Sequence, residues 1–303
     1  MRASASVVFD GPASPGLTLS PLRRGRADPC YHDDADGAVW RTSLMRSGPV
    51  TARIDRAAPD TVDCEAWGPG AAEFADTLPA LLGVDDDASA FRPVEPTIAA
   101  ALRRVPHLRL GRTGRVLEAL IPAVLEQRVY GSDARRAWRR LVTGYGAPAP
   151  GPAPAHLRVP PTPQAWRRIP SWEFHRANVD PGRARTVVGC AQRADALERL
   201  VSRPAEAART ALMSLPGVGE WTAAETAQRA FGDADALSVG DYHLAKMVGW
   251  SLLGHPIDDP AMVELLAPLA PHRHRAVRLL EVSGLAVNPR FGPRVPIPNL
   301  AEL

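Results

Sequence analysis

Hydrophobic and polar positions follow two different periods along this chain. In the first third, residues 37–44, 49–56 and 61–67 are short β-rich runs separated by Gly, Pro and Asp turns, which predicts strands, and residues 71–82 predict a small helix. The acidic run Asp85-Asp86-Asp87 marks a boundary. Beyond it the apolar spacing becomes helical. Helices are predicted over 95–104, 116–130, 133–145, 164–169, 184–201, 205–214, 220–231, 242–253 and 271–285. A Pro/Gly-rich connector, 146–163, reads as extended and mobile. The expected architecture is α+β: a small N-terminal α/β domain (1–88), then an all-helical domain (89–303).

Composition narrows the class. With 303 residues, 45% hydrophobic and 23% charged, the chain is an ordinary globular protein with room for two domains. It holds no apolar run long enough to cross a bilayer, and its start lacks the pattern of a signal peptide. Cys30, Cys64 and Cys190 are an odd count with no close pair, against a disulfide framework, a four-cysteine zinc site or a four-cysteine iron–sulfur cluster. The expectation is a reduced, cytoplasmic, monomeric protein with no membrane association.

Charge is distributed unevenly. Residues 1–88 carry 8 Arg against 14 acids, and residues 89–303 carry 28 basic residues against 19 acids. Lys246 is the only lysine. Within 103–140, 10 Arg face 3 acids. A basic half suits a polyanion partner, although a solvated helical face accounts for such a run equally well.

The most informative stretch is 205–253. A helix gives way to Leu215-Pro216-Gly217-Val218-Gly219, and another opens at Glu220-Trp221. Two glycines permit a tight turn with positive φ, and amides at the start of the second helix suit a phosphate. A plain interhelical turn has the same composition. Twenty residues after Trp221, Asp241 stands in Ser238-Val239-Gly240-Asp241-Tyr242-His243-Leu244 at the start of another predicted helix. Asp is a favoured helix cap, and the same carboxylate, kept ionised by the helix dipole, can stabilise a developing cation.

The hairpin, the spaced Asp and the flanking order together resemble the helix-hairpin-helix DNA glycosylases, in particular the 3-methyladenine DNA glycosylase II branch. Residues 37–87 look like that branch's N-terminal domain and 121–146 like its first long helix pair. The resemblance implies a catalytic Asp241, with Trp221 as a wall of the base pocket; a Trp here is equally a core residue. It implies DNA contacts at Gln127, Arg128, Leu215, Gly217, Val218, Gly219, His243 and Lys246. It implies a sodium or potassium ion held by the carbonyls of Met213, Leu215 and Val218, and no required cofactor. The expected partner is double-stranded DNA carrying damaged bases.

Two departures stand out. Relatives that cut the strand carry a lysine where this chain has Trp221, which implies a monofunctional enzyme. The pocket is also less aromatic: Glu225 takes a place often held by Tyr, and Glu281-Val282-Ser283 falls where another Trp is often found. Excision of alkylated purines in base excision repair is the leading expectation. Action on deaminated or oxidised bases, or DNA binding without catalysis, stand as alternatives. The pair His272/His274 reads as polar surface.

Overall fold

A computed structural model describes residues 1–289. Strands β1 (Arg2–Val8), β2 (Tyr31–Asp33), β3 (Val39–Met45), β4 (Gly48–Ala58) and β5 (Thr61–Trp67) form an antiparallel sheet in the order β1-β5-β4-β3-β2. Val50, Ala52 and Ile54 on β4 and Val62, Cys64 and Ala66 on β5 alternate inward with period two. Short α1 (Pro15–Leu19) precedes β2, and α2 (Ala71–Leu81) covers the sheet with Phe74 and Leu78. Strand β1, whose inward face begins with the small Ala3 and Ala5, and the three-residue β2 carry too little apolar signal to be predicted.

The rest is helical: α3 (Pro96–Arg104), α4 (Val116–Leu125), α5 (Gly131–Tyr145), α6 (Pro163–Arg168), α7 (Ser171–Arg176), α8 (Pro181–Gln192), α9 (Ala194–Glu198), α10 (Ala205–Met213), α11 (Glu220–Ala230), α12 (Leu244–Leu253), α13 (Asp259–Leu266) and α14 (Arg273–Ser283). They pack into two lobes. One core gathers α4, α5 and α6 to α11 around Leu120, Trp138, Trp166 and Leu212. The other gathers α3, α12, α13 and α14 around Ile98, Val248, Met262 and Leu279.

Several sequence expectations are corrected. The helix predicted to run to 130 ends at Leu125, where buried Arg183 donates Nη1–H to the Leu125 carbonyl at 2.8 Å. The connector 146–163 is not free. It forms a two-stranded hairpin, β6 (Ala147–Pro148) with β7 (Arg158–Val159), that lies against the sheet. The Arg158 carbonyl accepts from Thr42 Oγ at 2.6 Å, and Gly151 (φ +78°) sits where a Cβ would lie 2.5 Å from the Trp67 ring. His272 and His274 are buried, not surface residues.

The acidic boundary is a clasp. Asp85 pairs with Arg112, and Asp86 pairs with Arg275 on α14 and accepts from the Leu110 amide at 2.8 Å. The segment from Arg24 to Cys30, just before β2, docks on the helical core. Asp28 accepts from the Trp138 indole at 3.0 Å, Arg24 pairs with Glu126 at 3.1 Å, and Cys30 lies inside that core.

Candidate active site

The hairpin forms between α10 and α11. Leu212 and Val218 bury into the core and anchor its two arms, and the Val218 amide closes the turn onto the Leu215 carbonyl at 3.0 Å. Gly217 alone of the two glycines needs its freedom: φ is +83°, and an added Cβ would lie 2.1 Å from Thr186 Oγ1. Gly219 caps α11 at φ −95°, against the positive φ expected, and a Cβ there would meet nothing within 4 Å. Backbone conformation therefore does not require a glycine there. Pro216, Gly217 and Gly219 are exposed, and α11 follows with its free N-terminal amides.

Asp241 is bound on both carboxylate oxygens. Oδ1 accepts from the amides of His243 (2.8 Å) and Leu244 (3.0 Å), so the side chain caps α12, which begins at Leu244 and not at Asp241 itself. Oδ2 accepts from the Trp221 indole N–H at 3.2 Å. Capping and a chemical role are thus compatible in one residue. Trp221 is half-buried at the start of α11.

Behind Asp241 a cavity of about 510 Å³ opens where α11, α12, α14 and the α1 segment meet. Glu225 lines it, as does Asp241; Trp221 does not. Glu225 is not free to meet a charge: its Oε2 takes Arg229 Nη1 at 2.8 Å and its Oε1 takes the Ser238 hydroxyl at 2.6 Å. Burial pushes this carboxyl up, but Arg229, Ser238 and Arg24 outweigh burial and hold it below the usual carboxylate range. His274 lies on the same wall, and burial, reinforced by Arg278, Arg229 and Arg275, drives its pKa well below the usual imidazole value. Glu225 is therefore ionised and His274 neutral near pH 7.

The turn between α4 and α5 carries Gln127 and Arg128. Gln127 Nε2 donates to the Gly217 carbonyl (2.9 Å) and to Thr222 Oγ1 (2.8 Å), tying this turn to the hairpin. Arg128 is exposed at φ +53°, a left-handed conformation that costs a non-glycine residue free energy and collects at functional sites. Of the basic run, Arg109 stacks over Phe9 and Arg115 donates to the Leu44 carbonyl, so these serve the fold. Arg135 and Arg139 on α5 are exposed.

His243 and Lys246 are exposed at the head of α12, and between Asp241 and His243 stands a residue the sequence pattern does not single out. Tyr242 is 74% exposed, with Lys246 Nζ 4.4 Å from its ring centroid and the His243 ring edge-on at 4.8 Å. Its one sequence signal is an aromatic next to the candidate acid at a helix start. No helix among the described residues is long and apolar enough to cross a membrane, and no cluster of three His, Cys, Asp or Glu among them suits a metal.

No protein-family model matches the chain. The probable bifunctional transcriptional activator/DNA repair enzyme AlkA of Mycobacterium tuberculosis is 28% identical over 313 residues, covering 92% of this chain and 60% of that protein. The chain thus spans well under two thirds of the curated relatives it matches. Among solved structures, the 3-methyladenine DNA glycosylase from Archaeoglobus fulgidus superposes with a TM-score of 0.77 at 16% identity, covering 91% of this chain and 97% of that one. MBOgg1 in complex with a low-affinity DNA ligand gives 0.73 at 15% identity, covering 93% and 95%. The 8-oxoguanine glycosylase/lyase of Clostridium acetobutylicum gives 0.69 at 12% identity, covering 93% and 97%.

Proposed function

We infer that this chain, built on the fold of the helix-hairpin-helix DNA glycosylases, is a monofunctional DNA glycosylase that hydrolyses the N-glycosidic bond of an alkylated purine in duplex DNA. The observation that carries the reading is Asp241: an oriented carboxylate lining a cavity, beside a hairpin whose exposed backbone suits a phosphate. Loss of a base from deoxyribose develops positive charge on the sugar, and a fixed carboxylate stabilises that charge and can orient the attacking water. The hairpin and the exposed arginines hold the backbone, positioning without reading sequence.

The chemistry of the cavity favours a leaving group that needs no proton. Glu225 is ionised and ion-paired and His274 is neutral, so neither wall residue is a ready acid at neutral pH. A purine alkylated at N3 or N7 is already cationic and departs without protonation. The position that would supply an amine nucleophile holds Trp221, whose ring nitrogen has no basic lone pair, so the product is an intact abasic strand. Neutral carbonyls at Met213, Leu215 and Val218 are the donor type that a hard monovalent cation accepts; the Leu215 oxygen already takes the Val218 amide, which leaves it one lone pair for an ion.

A base-release assay on methylated duplex DNA tests the reading. Release of methylated purines into solution by the wild-type chain is expected. Retention of every base, with the duplex still bound, would favour the non-catalytic alternative.

A further inference from the structure

The turn that carries Gln127 and Arg128, between the end of α4 at Leu125 and the start of α5 at Gly131, is held from three sides. Arg183 on α8 donates Nη1–H to the Leu125 carbonyl at 2.8 Å. Arg24 Nη1 donates to both carboxylate oxygens of Glu126, at 3.1 and 3.3 Å. Gln127 Nε2 reaches the Gly217 carbonyl and Thr222 Oγ1 at the hairpin. Three successive residues are thus tied to three different parts of the chain. The residue that follows them, Arg128, is the exposed member of the turn and the one with positive φ.

The tie on Glu126 comes from far away in sequence. Arg24 is buried, and its own backbone N–H goes to Asp28 Oδ2 at 2.6 Å. Asp28 Oδ1 accepts from the Cys30 amide at 2.9 Å and from the indole of Trp138, a residue of α5, at 3.0 Å. One short segment before β2 therefore grips the end of α4 through Glu126 and α5 through Trp138, on either side of the turn. A guanidinium taken out of water needs its partner, so this link is firmer than a surface ion pair. Neither Arg24 nor Glu126 lines the cavity behind Asp241. A non-glycine residue in the left-handed region persists only where its surroundings over-determine it. A side chain already fixed in its working position also avoids the ordering entropy that a loose one loses on binding.

We propose that Glu126 and Arg24 are positioning residues for base extrusion: their ion pair fixes the turn in the conformation that presents Arg128 to the duplex. They act through Arg128 and not through Asp241. The inference rests on the glycosylase reading above and adds to it the residues that prepare the flipped state.

The test measures single-turnover release of one methylated purine, set either in full pairing or as an unpaired bulge. Glu126→Ala is expected to slow release from the paired duplex about tenfold, the scale of one hydrogen bond to a charged group. The bulged lesion should stay within about twofold of wild type, since little unpairing remains to be done. Glu126→Gln keeps an acceptor for Arg24 at the same length and should lose about threefold in the same pattern. It serves as the second variant if Glu126→Ala, which strands the buried Arg24, fails to fold. Combined with Arg128→Ala, Glu126→Ala should cost no more than about twofold further, because both act on one event. Equal slowing of paired and bulged lesions, or additive losses with Arg128→Ala, overturns the inference and leaves the glycosylase reading standing. A duplex carrying 2-aminopurine beside a tetrahydrofuran abasic site gives a readout with no base to release. Wild-type protein should change the 2-aminopurine fluorescence as the gap is filled, and Glu126→Ala should give the smaller change of Arg128→Ala. That result supports the inference even if no base is ever released, an outcome that overturns the glycosylase reading alone. Equal fluorescence from wild type and Glu126→Ala, or no change from bound wild type, overturns the inference.

Discussion

The indole N–H of Trp221 donates to Asp241 Oδ2 at 3.2 Å while the amides of His243 and Leu244 hold Oδ1, so the hairpin helix and α12 meet on one carboxylate. Asp241→Asn keeps an oxygen for the two amides and so keeps the cap, but removes the charge. Base release should fall at least 10²–10³-fold, the scale of roughly 3–4 kcal/mol seen for preorganised electrostatic groups, with binding to undamaged duplex unchanged. Trp221→Phe loses only the orienting bond and should lower the rate about tenfold. Single-turnover kinetics separate these. Near-wild-type release by Asp241→Asn would leave the residue a helix cap only.

The two hairpin glycines should behave differently. Gly217→Ala places a Cβ against Thr186 at a positive φ and should destabilise the fold by about 1–3 kcal/mol, read as a lowered melting temperature. Gly219→Ala has open space and an allowed φ, so its melting temperature should hold while affinity for duplex DNA falls. A Gly219→Ala protein that binds as well as the wild type would place the backbone contact elsewhere.

Arg128 is expected to fill the stack vacated by the flipped nucleotide. Arg128→Ala should leave nonspecific binding nearly intact and slow excision from a fully paired duplex, less so at a mispaired lesion, where unpairing costs less. Replacement of Arg135 or Arg139 by Ala should weaken damaged and undamaged DNA alike and lower the log–log salt slope by about one for each lost phosphate contact. Wild-type excision by Arg128→Ala together with unchanged salt slopes would make this a solvated face.

Product strands should be intact, breaking at the abasic site only after alkali. Borohydride added during turnover should trap no covalent protein–DNA adduct. A trapped adduct would identify an amine nucleophile and exclude simple hydrolysis.

Stability should fall on the acid side of neutrality. The pKa values of His274 and His272 are lowered in the fold, chiefly by burial, so below about 6.5 the unfolded chain takes up protons that the folded one refuses. His274, well below the usual value, contributes up to about 1.4 kcal/mol per pH unit in that window, and His272 less. Glu225, also lowered but a carboxyl, stabilises above its unfolded value near 4.5 and adds only a little slope, of the same sign, close to pH 5. Melting curves of the wild type should shift down over that interval, and His274→Gln should flatten the shift. A pH-independent melting temperature from 7 to 5 would contradict neutral burial.

Much of this was legible in the sequence, and what was not has definite causes. Strands β3 to β5 and the helices with long apolar stripes appear within a few residues of their expected bounds, because one buried face imposes its period. The hairpin and Asp241 fall close in space because the segment after α11 returns along that helix, held by the bonds of Gln228 to the Ala236 carbonyl and the Ser238 hydroxyl, and brings Asp241 back to Trp221. Glu225 lines the cavity, and its closure by Arg229 and Ser238 depends on a rotamer and a loop that no periodicity encodes. The connector looked mobile because Pro and Gly dominate it. Its anchoring comes from partners over 80 residues away, Trp67 and Thr42.

The strap from Arg24 to Cys30 has a consequence for how the chain can be cut. Its Asp28 accepts from Trp138, its Arg24 pairs with Glu126 one residue before Gln127, and its Cys30 occupies the helical core. The sheet region is thus not a detachable module, and a helical fragment starting at residue 89 would lack part of its own interior. It would also lack the brace behind Gln127 and Arg128. Any swap or fusion that keeps the sheet but replaces this strap should break the helical lobe first, at a site far from the splice in sequence.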